Sequence, residues 1–232
     1  MKKIAVLSAG NGGQALAADL ALRGHDVALY DLPRFAPVIE AIRRRGNTIE
    51  LQNKITGTAT IRLVTTDIAE ALDGAEVVYF TAPSYGQKAF FDLAVPALSD
   101  GQVIVLMPGN YGTLALKAAL REAGKDVLVA ETDNLPYACA ATEPGVVNGL
   151  DVVGSFSMLP GRGVEAAVDG AFCTGWRKGE NVLATSMSGV NMVVHCAPML
   201  ANAGRIESEG GHFEFYYAGM TPAVCRLIEA TD

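Results

Sequence analysis

Cysteine, histidine and tryptophan are scarce in this chain of 232 residues, which has four, three and one of them. The cysteines stand far apart, at Cys139, Cys173, Cys196 and Cys225, and their spacing fits neither a disulfide framework nor a metal site. No apolar run is long enough to span a membrane, and Met1-Lys2-Lys3 leads directly into a predicted strand, so no signal peptide is expected. These absences predict a cytoplasmic protein with no bound metal and no membrane partner.

Positive charge is scarce as well. The chain has 18 Lys and Arg residues against 25 Asp and Glu residues, which gives a net charge of −7. The basic triplet Arg43-Arg44-Arg45 is expected on a solvated helix face, so a nucleic-acid partner is not expected. Hydrophobic residues make up 50% of the chain and charged residues 19%. This composition is typical of a globular protein large enough for one good core, or for one full domain and part of another.

The N-terminal end carries the most informative pattern. Ile4–Leu7 is an apolar run short enough for a buried strand, and it leads into a glycine-rich turn with the sequence SAGNGG. Apolar residues then recur with the period of a helix up to Leu20, Gly24 marks the end of that helix, and Asp26–Tyr30 predicts a second strand that ends at Asp31. Strand, glycine turn, helix, strand and acid, with Asp31 placed 18 residues after Gly13, form the fingerprint of a dinucleotide-binding unit.

Each part of this unit has a physical role in binding a dinucleotide. Gly10 lets the backbone approach a pyrophosphate, Gly13 lets the helix pack closely on the sheet, and the N–H groups at the helix start attract the phosphates. Asp31 can accept hydrogen bonds from the ribose hydroxyls and repels a 2′-phosphate, which favours NAD(H). Arg34 could accept that phosphate, so NADP(H) stays an alternative. The candidate cofactor contacts of this unit are Ser8, Gly10, Asn11, Gly12, Gly13, Asp31 and Arg34.

Ser8 departs from the fingerprint, because it stands where the pattern has its first glycine. A glycine-rich turn without a ligand is the alternative interpretation of the motif alone. The strand before the turn, the helix after it and the acid at the right distance favour a nucleotide site.

Strands and helices alternate along the next part of the chain. Glu76–Phe80, Gln102–Met107 and Val127–Ala130 predict buried strands with helices between them, and this order predicts a parallel sheet covered on both faces. Glycine, proline and small polar residues follow each strand, at the edge where ligands of such sheets bind. Each loop alone is ordinary turn chemistry, but together they add three candidate cofactor contacts: Thr81, Pro83 and Asn110.

Two shorter elements are predicted between the second strand and Glu76. Thr48–Leu51 and Thr58–Val64 predict the two strands of a hairpin, and Asp67 is placed to cap a short helix that ends near Leu72. The fold class predicted for this part of the chain is a Rossmann-type, doubly wound parallel sheet.

The pattern changes from Glu143 onward. Val146–Val147, Leu150–Val153 and Phe156–Leu159 predict short extended stretches, and Pro160-Gly161-Arg162-Gly163 predicts a break in regular structure. A poorly patterned connection follows this break.

The domain boundary is expected near Asn181. It divides the chain into a dinucleotide-binding domain with its connection, residues 1–180, and the first part of an all-helical domain, residues 181–232. Asn191–Ala203 has apolar residues nearly all round, which suits a buried helix. Thr221 is predicted to cap a last helix that has proline at its first position.

Several segments resemble the octopine/nopaline (opine) dehydrogenases. GNGGQALAADLALRGHDVALYD and ETDNLPYAC lie in the first predicted domain, while NMVVHCAPMLANAGRIE and FYYAGMTPAV lie in the second. The first segment is shared by many dehydrogenases, whereas the block around His195 and the GMTP segment are much more specific. The resemblance runs from Lys3 to the last residue and is thin between about Ser155 and Gly179.

The resemblance implies an NAD(P)H-dependent reductive condensation. An α-keto acid such as pyruvate and the amino group of an amino acid form an imine, which takes a hydride to give a secondary amine. His195 matches the family's catalytic histidine, which exchanges a proton with the reacting oxygen or nitrogen. From the residues alone the other interpretation stays open, because a lone histidine on an apolar helix is more often a core residue.

Three further residues are candidate substrate contacts. Asn191 lies one helical turn before His195 and could orient it or hold substrate. Arg205 could clamp a substrate carboxylate, although a surface ion pair with Glu207 or Glu209 is the alternative. Thr221 belongs to the GMTP segment of the resemblance.

The chain also departs from the family. Besides Ser8, Ala140 stands where the family motif tends to carry an arginine. The family's helical domain continues past residue 232 and carries the carboxylate partner of the histidine there, so no residue here is assigned that role. Either this sequence is a fragment or it is a reduced relative, and a homodimer formed through uncovered helices is a further expectation.

Two other functions remain open from the sequence. One is a related reductase of keto or hydroxy acids that needs no amino-acid cosubstrate. The other is a dinucleotide-binding module without turnover.

Overall fold

The computed structural model describes residues 1–151, 155–159 and 177–231. The chain forms two compact units, residues 1–187 and residues 188–232, and each is described by itself. The break predicted at 160–163 lies outside the described residues, as does Cys173. Among the described helices, none has the length and apolar character needed to cross a membrane.

The first unit consists of strands alternating with helices. In chain order the strands are β1 (Lys3–Leu7), β2 (Asp26–Tyr30), β3 (Thr48–Asn53), β4 (Gly57–Thr60), β5 (Leu63–Thr65), β6 (Val77–Phe80), β7 (Val103–Leu106), β8 (Leu128–Thr132), β9 (Tyr137–Glu143), β10 (Val146–Asp151), β11 (Ser155–Leu159) and β12 (Arg177–Lys178). The α-helices are α1 (Asn11–Leu22), α2 (Ala36–Arg44), α3 (Ile68–Leu72), α4 (Gln87–Ala97), α5 (Gly112–Glu122) and α6 (Val182–Met187). Short 3₁₀ turns, Pro33–Phe35 and Ser84–Gly86, precede α2 and α4.

Among the described residues, eight strands form the main sheet, in the order β12-β11-β8-β7-β6-β1-β2-β5. The six strands from β8 to β5 run parallel, and β11 pairs antiparallel with β8. The strand order reverses at β1, which lies between β2 and β6. This confirms the predicted doubly wound sheet and defines its topological switch point.

Two separate cores cover the two faces of the main sheet. Ile4 and Val6 of β1 pack in one core with α1, α2 and the hairpin, while Ala5 and Leu7 pack in the other with α3, α4 and α5. Each central strand is therefore buried on both faces, which explains why these segments are continuous apolar runs rather than alternating ones.

A smaller sheet, in the order β4-β3-β10-β9, packs beside α1. The predicted hairpin is confirmed, since β3 and β4 pair antiparallel. Its second strand is shorter than predicted: β4 ends at Thr60 and β5 joins the main sheet from Leu63, with the buried Ile61 between them. β9 was not predicted, and β10 is one continuous strand over 146–151 where two separate runs were expected.

Local signals for helix ends behave as predicted. The carboxylate of Asp67 accepts hydrogen bonds from the N–H groups of Ala69 and Glu70 at 2.9 and 3.2 Å, and it caps α3.

α6 lies within the first unit. The predicted domain boundary after residue 180 stays a prediction.

The described part of the second unit is all helical, as predicted. Its helices are α7 (Asn191–Ala201), α8 (Ala203–Ser208) and α9 (Pro222–Thr231). The Asn202 side chain donates to the carbonyls of Pro198 and Gly219 at 2.9 and 3.1 Å, and it ties the loop before α9 to α7.

The predicted burial of the helix beginning at Asn191 was wrong. Met192 and Leu200 are 58% and 78% exposed, whereas Ala197 is buried. Within the described residues of its unit, α7 packs against α9 and against the rings of Phe215 and Tyr216.

Candidate functional site

A cleft of about 210 Å³ opens at the carboxyl ends of β1, β2 and β6, where the strand order of the main sheet reverses. Ligands of doubly wound sheets bind at this place. Five predicted cofactor contacts line the cleft: Ser8, Gly10, Asp31, Arg34 and Pro83. The other lining residues are Ala9, Phe35, Val38, Ala82, Tyr85, Gly86 and Phe90. The walls are thus mostly apolar, with one carboxylate and one guanidinium.

Ser8 keeps the backbone conformation of the glycine that it replaces in the fingerprint. Its φ of 93° lies in the region that favours glycine. The N–H of Ser8 donates to the carbonyl of Tyr30 at 2.8 Å, and its hydroxyl accepts from the N–H of Gly10 at 3.4 Å. The serine therefore adds a hydroxyl to the cleft, while the turn follows a glycine-like path.

Gly10 and Gly13 are needed for different reasons. Gly10 has an ordinary extended conformation, φ −69° and ψ −174°, and the nearest neighbour of a Cβ added to it would be the Ser8 hydroxyl at 3.6 Å. A Cβ on Gly13 would overlap the carbonyl oxygen of Ser8 and lie 2.8 Å from the Thr81 hydroxyl. Gly10 thus leaves open a space that a side chain would fill, as a phosphate cradle requires, and Gly13 allows α1 to pack against β1.

Asp31 lies at the end of β2 and is 4% exposed. Its Oδ2 accepts a hydrogen bond of 2.7 Å from the N–H of Ala9, and its Oδ1 accepts one of 2.8 Å from the N–H of Leu32. Burial raises the pKa of this carboxyl, while the two N–H groups and the Arg34 charge act in the opposite direction. Each oxygen keeps a second lone pair, so the carboxylate can still accept ribose hydroxyls.

Aromatic side chains at the mouth of the cleft were not predicted as cofactor contacts. The Arg34 guanidinium lies over the ring of Phe35, 4.9 Å from its centroid, and Tyr85 is 90% exposed. Flat apolar and cationic groups of this kind suit the face of a base. The signal that could have found Tyr85 is its place in the loop after β6, next to the predicted contact Pro83.

The other five predicted cofactor contacts do not line the cleft: Gly13, described above, and four residues that make contacts in the neighbouring loops. The Thr81 hydroxyl donates to the carbonyls of Leu7 and Ser8 at 3.3 and 3.4 Å, and the Asn11 side chain accepts from the N–H of Ala141. A Cβ on Gly12 would come within 3.1 Å of Leu135, and Asn110 donates to the Ser84 hydroxyl at 2.8 Å. Their roles as cofactor contacts stay predictions.

A buried polar cluster beside the next loop was not predicted. The fully buried carboxylate of Glu131 accepts from the Thr113 hydroxyl at 2.5 Å and from the Ser186 hydroxyl. Ser186 in turn accepts from the N–H of Tyr111 at 2.9 Å. A Cβ on Gly109 would overlap Glu131, so this glycine admits the carboxylate and the cluster fixes the loop that carries Asn110.

In the second unit, His195 is half-buried on α7. Its Nδ1 lies 3.2 Å from the Tyr216 hydroxyl, and its ring contacts those of Phe215 and Tyr216, with centroids 6.0 and 5.9 Å away. Tyr216 was not predicted as a site residue, although it belongs to the FYYAGMTPAV segment. Its hydroxyl holds one ring nitrogen, which defines the direction of the other.

The predicted substrate contacts of this unit have various neighbours. Asn191 begins α7, one turn before His195. Arg205 pairs with Glu209 at 2.6 Å and also donates to the carbonyl of Ala218 at 3.2 Å. The ion-pair alternative for Arg205 is thus the arrangement seen. The Thr221 hydroxyl accepts from the N–H of Val224 at 3.4 Å, as predicted for a helix cap.

Across residues 1–151, 155–159 and 177–231, no three His, Cys, Asp or Glu side chains are grouped so that they could hold a metal ion. What the first unit offers is a glycine turn with an accessible peptide, an acid at the second strand and an apolar cleft. This arrangement fits a dinucleotide.

Two families match separate parts of the chain. Residues 3–108 match the N-terminus of NAD-dependent glycerol-3-phosphate dehydrogenase. Residues 178–232 match the alpha-helical domain of NAD/NADP octopine/nopaline dehydrogenase. The two matches correspond to the nucleotide-binding fold and to the helical segment that follows it.

Three known proteins illustrate the similarity over longer stretches. The opine dehydrogenase of Arthrobacter sp. (strain 1C) is 37% identical over 237 residues, which cover 100% of this chain and 65% of the relative. A structure of octopine dehydrogenase with NADH and L-arginine superposes with a TM-score of 0.73 at 22% identity and covers 97% of this chain and 60% of its own. A ketopantoate reductase from Ralstonia eutropha JMP134 has a TM-score of 0.66 at 19% identity, with coverages of 98% and 70%. Because their sequence identities to this chain are only 22% and 19%, these two structures establish a shared fold and nothing further.

Proposed function

We propose that the protein is an NAD(P)H-dependent oxidoreductase of opine dehydrogenase type, because all of the chain aligns with an opine dehydrogenase and residues 178–232 match the octopine/nopaline dehydrogenase helical domain. It would condense an α-keto acid with the amino group of an amino acid and reduce the resulting imine. The observation that carries the proposal is the 37% identity to an opine dehydrogenase over 100% of this chain. The chain spans 65% of that relative's length, so the relative's activity is carried over to it only as a proposal.

The cleft of the first unit is the proposed cofactor site. Gly10 offers an uncovered peptide to the pyrophosphate, and Asp31 offers its remaining lone pairs to the ribose hydroxyls of NADH. Arg34 and the exposed Tyr85 provide surfaces for the adenine. When bound, the dinucleotide supplies the hydride.

His195 is the proposed proton-transfer residue. Because its Nδ1 is held by the Tyr216 hydroxyl, Nε2 is the nitrogen we assign to the substrate. If Nδ1 accepts a hydrogen bond from the Tyr216 hydroxyl, the neutral ring carries its hydrogen on Nε2, which can act as an acid. If Nδ1 carries the hydrogen and donates it to the hydroxyl oxygen, Nε2 is unprotonated and can act as a base. Asn191 and Thr221 remain proposed substrate contacts, and Arg205 would have to leave Glu209 to take a substrate carboxylate.

A reductase of simple keto acids is the second candidate. The observation in its favour is the shared fold with a ketopantoate reductase, which extends over 98% of this chain. Such an enzyme needs no amino acid, so the cosubstrate requirement separates the two proposals.

The test is an assay of NADH and NADPH oxidation with pyruvate, with and without a panel of amino acids. It uses the 232-residue chain and the same chain extended by the remaining C-terminal segment of the Arthrobacter relative. Oxidation that depends on both cosubstrates supports the opine dehydrogenase proposal, and oxidation with pyruvate alone supports the keto-acid reductase. Binding of either dinucleotide without any turnover in both forms would leave a binding module as the function.

A further inference from the structure

Gln14 on α1 makes two hydrogen bonds to the backbone on opposite sides of its amide. Its Nε2 donates to the carbonyl of Ala9 at 2.7 Å, and its Oε1 accepts from the N–H of Gly145 at 2.8 Å. The side chain is 3% exposed. One buried amide therefore joins the glycine turn to the turn between β9 and β10.

Ala9 is held on both sides of its backbone. Its N–H donates to Asp31 at 2.7 Å, and its carbonyl accepts from Gln14. In a trans peptide the carbonyl of one residue and the N–H of the next point in opposite directions. Because the Ala9 carbonyl points into the protein at Gln14, the N–H of Gly10 points the other way, toward the Ser8 hydroxyl that lines the cleft.

The reverse orientation of this peptide would place a carbonyl oxygen where the N–H of Gly10 now lies. That oxygen would repel a phosphate instead of donating to it. Gln14 opposes this reversal, because its amide, which is only 3% exposed, would then lose a buried hydrogen-bond partner.

We propose that Gln14 is a positioning residue for the pyrophosphate of the dinucleotide. It fixes the Ala9–Gly10 peptide so that the N–H of Gly10 faces the ligand, and it makes this geometry depend on the turn at Gly145. The proposal rests on the dinucleotide site proposed above, and it assigns a function to a residue of α1 that does not itself line the cleft.

The test compares two ligands that differ by the pyrophosphate, ADP and adenosine, together with NADH. Gln14→Met has a similar length and loses both hydrogen bonds. Gln14→Glu keeps an acceptor for the N–H of Gly145 but loses the donor to Ala9. We expect both substitutions to weaken NADH and ADP binding about tenfold or more, as for the loss of one hydrogen bond to a charged group, with adenosine binding unchanged.

Gln102→Met is the matched control. Gln102 is also buried, at 6% exposure, and its amide donates to the carbonyls of Leu72 and Ala75 at 3.0 and 2.7 Å, away from the cleft. Like Gln14→Met, Gln102→Met removes buried side-chain hydrogen bonds, and we expect a similar decrease in its free energy of unfolding. It should bind NADH and ADP like the parent.

Several results would overturn the inference. Unchanged ADP affinity in Gln14→Met and Gln14→Glu would do so, and so would an equal loss for ADP and adenosine, which indicates general damage to the fold. If Gln14→Met does not fold, Gln14→Glu decides alone, and the amide resonance of Gly10 adds a direct readout: ADP should shift it in the parent and not in the variant. A parent chain that binds neither NADH nor ADP would instead overturn the dinucleotide site itself.

Discussion

The backbone N–H of Ala9 donates a hydrogen bond of 2.7 Å to the carboxylate of Asp31, so the acid that is expected to bind ribose also supports the glycine turn. Any substitution of Asp31 removes both functions. Absolute affinities of an Asp31 variant therefore mix the loss of a ligand contact with a loosened turn. The ratio of the affinities for two dinucleotides isolates the effect of the charge.

The first prediction concerns the ratio of the dissociation constants of NADH and NADPH. The chain should bind NADH more tightly than NADPH, because the Asp31 carboxylate repels a 2′-phosphate, while Arg34 at the same cleft reduces the difference. Asp31→Ser should narrow the ratio of the two dissociation constants, measured by fluorescence titration. Asp92→Ser, which removes an exposed carboxylate paired with Lys88 on α4, should not change it. Tighter binding of NADPH by the parent would contradict the assignment.

Gly10 and Gly13 should respond differently to valine. Gly10→Val should abolish NADH binding with little loss of stability, because its backbone conformation suits any residue and the side chain would enter the cleft. Gly13→Val should lower the free energy of unfolding by about 3 kcal/mol or more, since its Cβ would overlap backbone at Ser8. Urea unfolding and NADH titration of both variants check this contrast. If Gly10→Val binds like the parent, the phosphates do not lie at this turn.

Ser8→Gly should stabilise the chain. The φ of 93° at Ser8 costs about 1–3 kcal/mol for a residue with a side chain, and this exceeds the roughly 0.5–1 kcal/mol of entropy that a glycine loses on folding. We expect a gain of about 1 kcal/mol in thermal or urea unfolding, with NADH binding unchanged or slightly tighter. Ser8→Ala is the control: it keeps the strained backbone and should show no gain.

The pH dependence of stability should report the burial of Asp31. Its pKa in the folded chain is raised above the ordinary 3.8, so between 3.8 and the raised value the folded chain holds a proton that the unfolded chain has released. The free energy of unfolding therefore falls as the pH rises through this interval. Asp31→Asn lacks this contribution. The free energy of unfolding of the parent minus that of Asp31→Asn should decrease as the pH rises from about 3.8. If this difference is constant with pH, the pKa of Asp31 is not raised in the folded chain.

His195→Ala should reduce turnover without affecting the cofactor. In the C-terminally extended chain we expect at least a ~10²-fold loss of the rate, as for a general acid–base residue, with the Kd for NADH little changed. Tyr216→Phe, which removes the hydroxyl beside Nδ1, should lower the rate less and shift its pH profile. The unextended chain should turn over feebly. Full activity of His195→Ala would make His195 a core residue.

The fold could be predicted where a single physical signal dominates. The short apolar runs of β6 and β7 are buried on both faces, the glycine turn requires its glycines, and Asp67 caps α3, so each sequence pattern has one structural meaning. β9 was missed because its sequence, YACAATE, has only one β-branched residue, Thr142, and no aromatic residue after Tyr137. Its strand conformation comes from pairing with β10 and packing on α1.

The site could be predicted in outline and not in its supporting contacts. Five of the residues predicted as cofactor contacts line one cleft, and their contacts with a cofactor stay predictions: Ser8, Gly10, Asp31, Arg34 and Pro83. The partners that fix them come from distant parts of the sequence, as Gly145 does for Gln14 and Tyr216 does for His195. Such pairs leave no periodic pattern in the sequence, because they depend on tertiary packing rather than on local spacing.

The buried cluster at Glu131 has a practical consequence for dissecting this protein. A fragment that ends at residue 180, where composition and pattern suggest a natural cut, would lack the Ser186 hydroxyl that Glu131 binds. The carboxylate would then face a cavity without that donor, and the loop at Tyr111 would lose its hydrogen bond. The shortest N-terminal fragment that keeps the hydrogen bonds of Glu131 and Tyr111 to Ser186 should therefore extend through α6. α6 is therefore expected to be needed for the folding of the first unit, although it lies after the boundary predicted from the sequence.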